Sequence, residues 1–200
     1  MKDFIENLKI KDIRWMYRKY LLGHDIWYFR EYLGKPDHAE IYDDMKIFMS
    51  EKLGIHVNNI AIVGSAKLGY SITPIEEKMF RKFSQESDLD IAIVSPDLFR
   101  KSWDAFIDLA RKGYLYKYST ITGNIFRRFV MLKKPDFRND FFREWNSRVE
   151  PCQKDLQTIF SISHDINYRI YESWEAVEQY HCNGLEKMKA FIGEQNDKPN

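Results

Sequence analysis

Apolar residues from Ile10 to Leu22 (Ile10, Ile13, Trp15, Met16, Tyr17, Tyr20) fall closer to a helical spacing than to strict alternation, with Gly23 placed as a stop. Lys35-Pro36-Asp37 announces a second helix, in which Ile41, Met45, Phe48, Met49 and Leu53 recur at three- and four-residue steps up to Gly54. The pattern then changes. Ile60-Ala61-Ile62-Val63 and Ile91-Ala92-Ile93-Val94 are short β-branched runs that read as buried strands. Ser95-Pro96-Asp97 starts a helix through Phe99, Trp103, Phe106, Ile107 and Ala110, stopping at Gly113. The run Ile125 to Leu132 fits either helix or strand, and Cys152 to Ile162 reads as helix. Ile166-Asn167-Tyr168-Arg169-Ile170-Tyr171 alternates and predicts a third strand. Ser173 then caps a long helix with Trp174, Val177, His181, Leu185, Met188 and Ile192 on one stripe, and a frayed tail is expected over 194–200. The pattern predicts an α+β fold: a helical segment over 1–56, and a core over 57–193 with a helical insertion at 97–162.

Composition narrows the class. The chain has 200 residues, 31 Lys+Arg against 30 Asp+Glu, and 16% aromatic residues, enough to fill one sizeable core. Near-zero net charge argues against coating nucleic acid by bulk electrostatics and leaves room for a local basic patch. Cys152 and Cys182 are too few for a disulfide framework, and no Cys/His zinc spacing occurs. No apolar run approaches the ~20 residues that span a bilayer. The acids of Met1-Lys2-Asp3-Phe4-Ile5-Glu6 argue against a signal peptide, so a cytoplasmic protein with no membrane partner is expected.

Two features carry candidate chemistry. Val63-Gly64-Ser65-Ala66 runs a strand into a small-residue turn, where glycine lets backbone N–H groups approach a phosphate and Ser65 adds a hydroxyl. A plain strand-to-helix turn with a capping serine has the same pattern. In Ser87-Asp88-Leu89-Asp90-Ile91, a period of two puts Asp88 and Asp90 on one face. Two such carboxylates repel unless a cation bridges them, and Mg²⁺ favours carboxylates together with substrate phosphates. An Asp-rich turn that merely begins a strand is the bland alternative.

The two motifs together, Ile62-Val63-Gly64-Ser65 and Asp88-Leu89-Asp90-Ile91, resemble the hG[GS]…[DE]h[DE]h signature of the DNA polymerase β-like nucleotidyltransferase superfamily (h, hydrophobic), of a stand-alone bacterial type. The resemblance is specific over 60–95. It implies that superfamily's core, a small mixed sheet flanked by helices, with added N- and C-terminal helices. It also implies a metal-dependent, template-independent transfer of NMP or dNMP from a nucleoside triphosphate to a hydroxyl, on an oligonucleotide, nucleotide or protein acceptor. By that carry-over, Asp88 and Asp90 hold Mg²⁺ or Mn²⁺ and are catalytic, while Gly64, Ser65, Lys67 and Ser87 bind the nucleotide. One metal lowers the pKa of the attacking hydroxyl and another offsets charge on the leaving pyrophosphate. A role in antiphage or stress signalling follows by analogy alone.

Two departures stand out. Asp88 lies 23 positions after Ser65, with a long loop between them, and Asn167 occupies the third-strand position where the family places a carboxylate. Asn167 and Arg169 share a strand face, which makes them a third-strand site with Arg169 free to contact phosphate or an aspartate; Asp165 and Glu172 flank the strand as substitutes. These departures keep open a degenerate nucleotide-binding or antitoxin-like partner protein, working as a homo-oligomer or with a partner effector. A third alternative is nucleic-acid binding through Arg127, Arg128, Lys133, Lys134, Arg138 and Arg143, for which a solvated face is the simpler account. His181 is expected as a hydrogen-bonded core histidine and the cysteines as buried thiols. Trp15, Trp27, Tyr28 and Phe29 are a candidate stacking or subunit surface.

Overall fold

The computed structural model describes residues 1–133 and 136–196. It is α+β, with a mixed four-stranded sheet among helices. The predicted helix over 10–22 is divided. α1 (Lys2–Ile10) ends before Asp12, whose carboxylate accepts the Trp15 N–H at 2.9 Å and caps α2 (Ile13–Tyr17). α2 continues into a π-helical turn over Arg18–Leu22 that Gly23 ends, and a second such turn spans Tyr28–Tyr32. α3 (His38–Leu53) closes at Gly54 in the left-handed conformation, as its sequence predicts.

β1 (Ile60–Val63), the short α4 (Ser65–Leu68), β2 (Leu89–Val94) and α5 (Pro96–Arg111) follow, the last capped by Ser95. The ambiguous run over 125–132 is both things. α6 (Tyr118–Phe126) ends in it, Arg128 turns the chain at φ 63°, and β3 (Phe129–Leu132) begins. The span 97–162 therefore contains a strand and is not a purely helical insertion. α7 (Asp140–Phe160) starts well before Cys152 because Asn139 caps it, and it runs through Pro151. β4 (Ile166–Tyr171) and α8 (Trp174–Asn196) complete the chain. Helix thus continues into the expected tail as far as Asn196; the rest of that tail, and Lys134, lie outside the described residues.

The strand order is β1-β2-β4-β3, with β2 and β4 parallel and both outer pairs antiparallel. Alternation sorts the side chains. Ile62, Ile91, Ile93, Tyr168 and Ile170 join α3, α5, α7 and the segment Ile26–Phe29 in the main core. Tyr28 and Phe29 are fully buried there, which corrects their expected role as a stacking surface. Trp27 lies partly buried against Gly69, where a β-carbon would meet its indole at 2.7 Å. On the opposite sheet face Val63, Ala92, Val94, Phe129 and Tyr171 pack under Ala176 and Val177 of α8. α1 and α2 pack on the far half of α8 through Phe4, Leu8, Met16, Leu185 and Met188. The long loop after α4 folds back, with Tyr70 bridged to Lys82 and the Phe83 N–H donating to the Gly69 carbonyl at 2.9 Å. Cys152 is buried and Cys182 half-buried. Among the described residues no helix is long and apolar enough to cross a membrane.

His181 is buried, with Nδ1 2.8 Å from the Val177 carbonyl, and burial pushes its pKa down to about 4. The folded state therefore stays neutral where the unfolded chain, near 6.5, takes up a proton. That deficit leaves stability intact above pH 6.5 and removes it as pH falls toward 4, by about 3 kcal/mol. Urea unfolding at pH 7 and pH 4.5 is expected to show this loss in the native chain and a smaller one in His181→Gln.

Candidate active site

The carboxylates lie where β2 and β4 begin and β1 and β3 end. Register aligns Val63 with Asp90 and Asp90 with Asn167, so three neighbouring strands bring these residues into one row. Gly64 follows directly, at φ 70° and ψ −145°, a conformation that residues with a β-carbon rarely adopt. A β-carbon there would also stand 2.9 Å from Asp90 Oδ2. Glycine is thus required twice, and the Gly64-Ser65 turn lies directly against a carboxylate.

Each aspartate has its own cation. Arg169 Nη2 donates to Asp90 Oδ2 at 3.0 Å and its Nη1 to the Tyr180 hydroxyl of α8 at 3.1 Å. Burial works against the Arg169 charge, but Asp90 holds it firmly protonated. This bears out the shared face of Asn167 and Arg169. Asn167 Nδ2 donates to Asp90 Oδ1 at 3.2 Å and also hydrogen-bonds Asp88, while its buried Oδ1 has no partner. Lys133, just past β3, reaches across β4 to place Nζ 2.7 Å from Asp88 Oδ1 and 3.6 Å from Asp165. Partial burial raises the Asp88 pKa, but hydrogen bonds from Lys133 and Asn167 outweigh it and the carboxyl lies below its ordinary range.

The two pairs differ in exposure. The side chains of Arg169 and Asp90 are 19% and 18% exposed, those of Lys133 and Asp88 36% and 40%. The first pair is built into the fold; the second sits at the rim, where water competes with it. Among the described residues no group of three or more His, Cys, Asp or Glu side chains gathers, so a divalent cation would draw on two carboxylates and Asn167. That donor set fits one ion. A half-turn of the Asn167 amide exchanges its unpartnered oxygen for the nitrogen now facing the aspartates, and all three donors are then hard oxygens. Lys133 is the group such an ion would have to displace from Asp88.

Other predicted residues are placed differently. Ser65 is half-buried at the start of α4. Ser87 accepts the Ser84 N–H at 3.0 Å and closes its own turn. Lys67 makes no ion pair with either aspartate. It is buried, donates to the Gly23 carbonyl, and is pushed down to about 8 by burial. It lines a cavity of about 280 Å³ with Lys46, His24 and His181. Glu172 pairs with Arg128 at the far end of β4, so it cannot stand in for a third ligand. A larger cavity of about 550 Å³ lies between α5 and α7 and contains none of these residues. Two ion pairs form within its lining, Lys112 with Asp108 and Arg148 with Glu144. Sequence patterns placed Lys133 only in a basic cluster, not beside Asp88, and missed Tyr180, because nothing local marks a lysine or tyrosine for a distant strand.

Arg169→Met leaves Asp90 unpaired in a nearly closed site and is expected to cost about 3 kcal/mol, whereas Lys133→Met costs less than about 1 kcal/mol. Adding Asp90→Asn to Arg169→Met should recover part of the loss. Denaturant unfolding of the three variants beside the native chain reads all of this, and equal costs at Arg169 and Lys133 would contradict the division into a built-in and a rim pair.

Comparison with known proteins finds no matching family model, no matching curated protein and no matching solved structure.

Proposed function

We propose that this chain is a metal-dependent nucleotidyltransferase that moves a nucleoside monophosphate from a triphosphate to an acceptor hydroxyl. One observation carries the reading: the bare Gly64-Ser65 turn lies against Asp90, in register with Asn167, and Asp88 opens the same row toward solvent. A phosphate approaching that turn meets backbone and the Ser65 hydroxyl, with no side chain at Gly64 to exclude it. In the transfer, the acceptor hydroxyl gives up its proton to solvent, its oxygen bonds to the α-phosphorus, the bridging α–β P–O bond breaks, and pyrophosphate leaves. A divalent cation, when bound, supplies charge neutralisation for the leaving group and acidifies the acceptor hydroxyl. Asp88, kept ionised by Lys133 and Asn167, is the ligand most open to exchange. Asp90 is anchored by Arg169 and orients the row. Lys133, once released from Asp88, remains as a cation at the mouth of the site for phosphate oxygens.

A second reading is favoured by one specific observation. Lys133 and Arg169 already pair with both aspartates, and Asn167 carries no charge, so neither Asp88 nor Asp90 needs an ion to offset it. Such a chain binds the triphosphate without turning it over and acts as a nucleotide-sensing or antitoxin-like partner.

Incubation with each α-labelled NTP and dNTP, with Mg²⁺ or Mn²⁺, separates the two. The transferase gives labelled product and pyrophosphate that require the metal and fall at least about 100-fold in Asp88→Ala/Asp90→Ala, the scale expected when charge stabilisation is removed. Triphosphate binding by equilibrium dialysis without product would establish the second reading instead.

A further inference from the structure

We propose that the surface carrying Tyr114, Tyr116, Lys117, Tyr118, Phe126 and Arg127 binds single-stranded nucleic acid, which makes an oligonucleotide the acceptor class of the candidate transfer site. The acceptor assignment rests on the transferase reading; the binding surface does not.

The charge is local. Residues 111–138 hold eight of the 31 Lys+Arg and one of the 30 Asp+Glu, so a nearly neutral chain concentrates positive charge on one segment while the remainder carries an excess of acids. Within it, Arg128 pairs with Glu172 and Arg138 with Asp136, whereas Lys117 and Arg127 are exposed with no carboxylate partner among the described residues.

Aromatic rings are interleaved with this charge and turned to water. Phe126 is 91% exposed, Tyr116 73% and Tyr118 62%, in a fold that buries Tyr28, Phe29 and Tyr171 completely. The arrangement has a local cause. Leu115 packs on the main core, while its neighbours Tyr114 and Tyr116 are exposed. α6 buries none of its side chains and rests on the core through the partly buried Ile121 and Ile125. Lys117 and Arg128, the basic residues bounding α6, both hold positive φ (58° and 63°), a conformation uncommon for residues with a β-carbon. The Arg138 guanidinium lies 4.1 Å from the centre of the Tyr114 ring, a planar cation already stacked on an aromatic face.

The surface also leads to the right place. β3 follows α6 directly, and Lys133 at its end contacts Asp88. Exposed π faces beside unpaired cations match the two needs of an unstacked strand, stacking for its bases and neutralisation for its phosphates. A duplex hides its base faces, and an acidic peptide leaves the rings unused.

Fluorescence anisotropy with fluorescein-labelled 20-nucleotide oligo(dT) and oligo(U), without metal or triphosphate, tests this. Affinity is expected to fall with salt at a log–log slope of about −2 to −4, corresponding to roughly three to five phosphate contacts. Tyr116→Ala/Tyr118→Ala/Phe126→Ala should weaken binding at least about tenfold with the slope kept, and Lys117→Ala/Arg127→Ala should flatten the slope by about 1.4. All five side chains are exposed, so both variants should retain the native circular dichroism. No binding at low salt, an affinity unmoved by the ring substitutions, or a preference for duplex or for phosphatidylserine vesicles overturns the proposal. Binding without any nucleotide transfer would sink the transferase reading alone, and transfer to other acceptors without binding would sink this one alone.

Discussion

A carboxylate on the inner face of a sheet is the constraint around which this protein is arranged. Asp90 lies among Ala92, Val94 and Tyr171 on the face that α8 covers, where an uncompensated charge would cost several kcal/mol. Each neighbour answers that demand. Arg169 supplies the opposite charge, Asn167 donates a hydrogen bond, and Gly64 leaves out the β-carbon that would collide with the carboxylate oxygen. Tyr180 then holds the other arm of Arg169, so the docking of α8 and the electrostatics of the sheet are one interaction. An apolar residue at position 90 would make a simpler core, and the charge held there is what the proposed function draws on.

The two aspartates are two residues apart yet live in different environments. Asp90 is enclosed and its partner is fixed. Asp88 stands one step before the strand, where Lys133 and solvent share it. Exchange of partners is cheap at Asp88 and costly at Asp90, because the first pair is already screened by water. The arrangement separates structural from replaceable charge within one short motif.

The N-terminal helices are part of the same structure. Ile26, Tyr28 and Phe29 fill the core beneath the sheet, and Lys67, immediately behind the Gly64-Ser65 turn, is tied to the Gly23 carbonyl. The turn is thereby braced from two sides, by β1 and by the segment that follows α2. The boundary expected near residue 56 is a change of local pattern, with one hydrophobic core continuing across it.

Local pattern sufficed wherever local chemistry decides. β1, β2 and β4 follow from β-branched runs and alternation, α3 and α5 from period and caps, and the shared face of Asp88 and Asp90, like that of Asn167 and Arg169, from a strand's period of two. Asp12 and Asn139 are legible caps in retrospect, since each side chain accepts a nearby backbone N–H. Tertiary structure alone decided that β4 lies between β2 and β3, that Asp90 faces Asn167 across the ladder, and that Lys133 crosses β4 to reach Asp88. It also made β3 a strand, through pairing with β4 and burial of Val130 and Leu132. Strand order and register are set by hydrogen bonds and packing between segments far apart in the chain, and no window of sequence contains both partners.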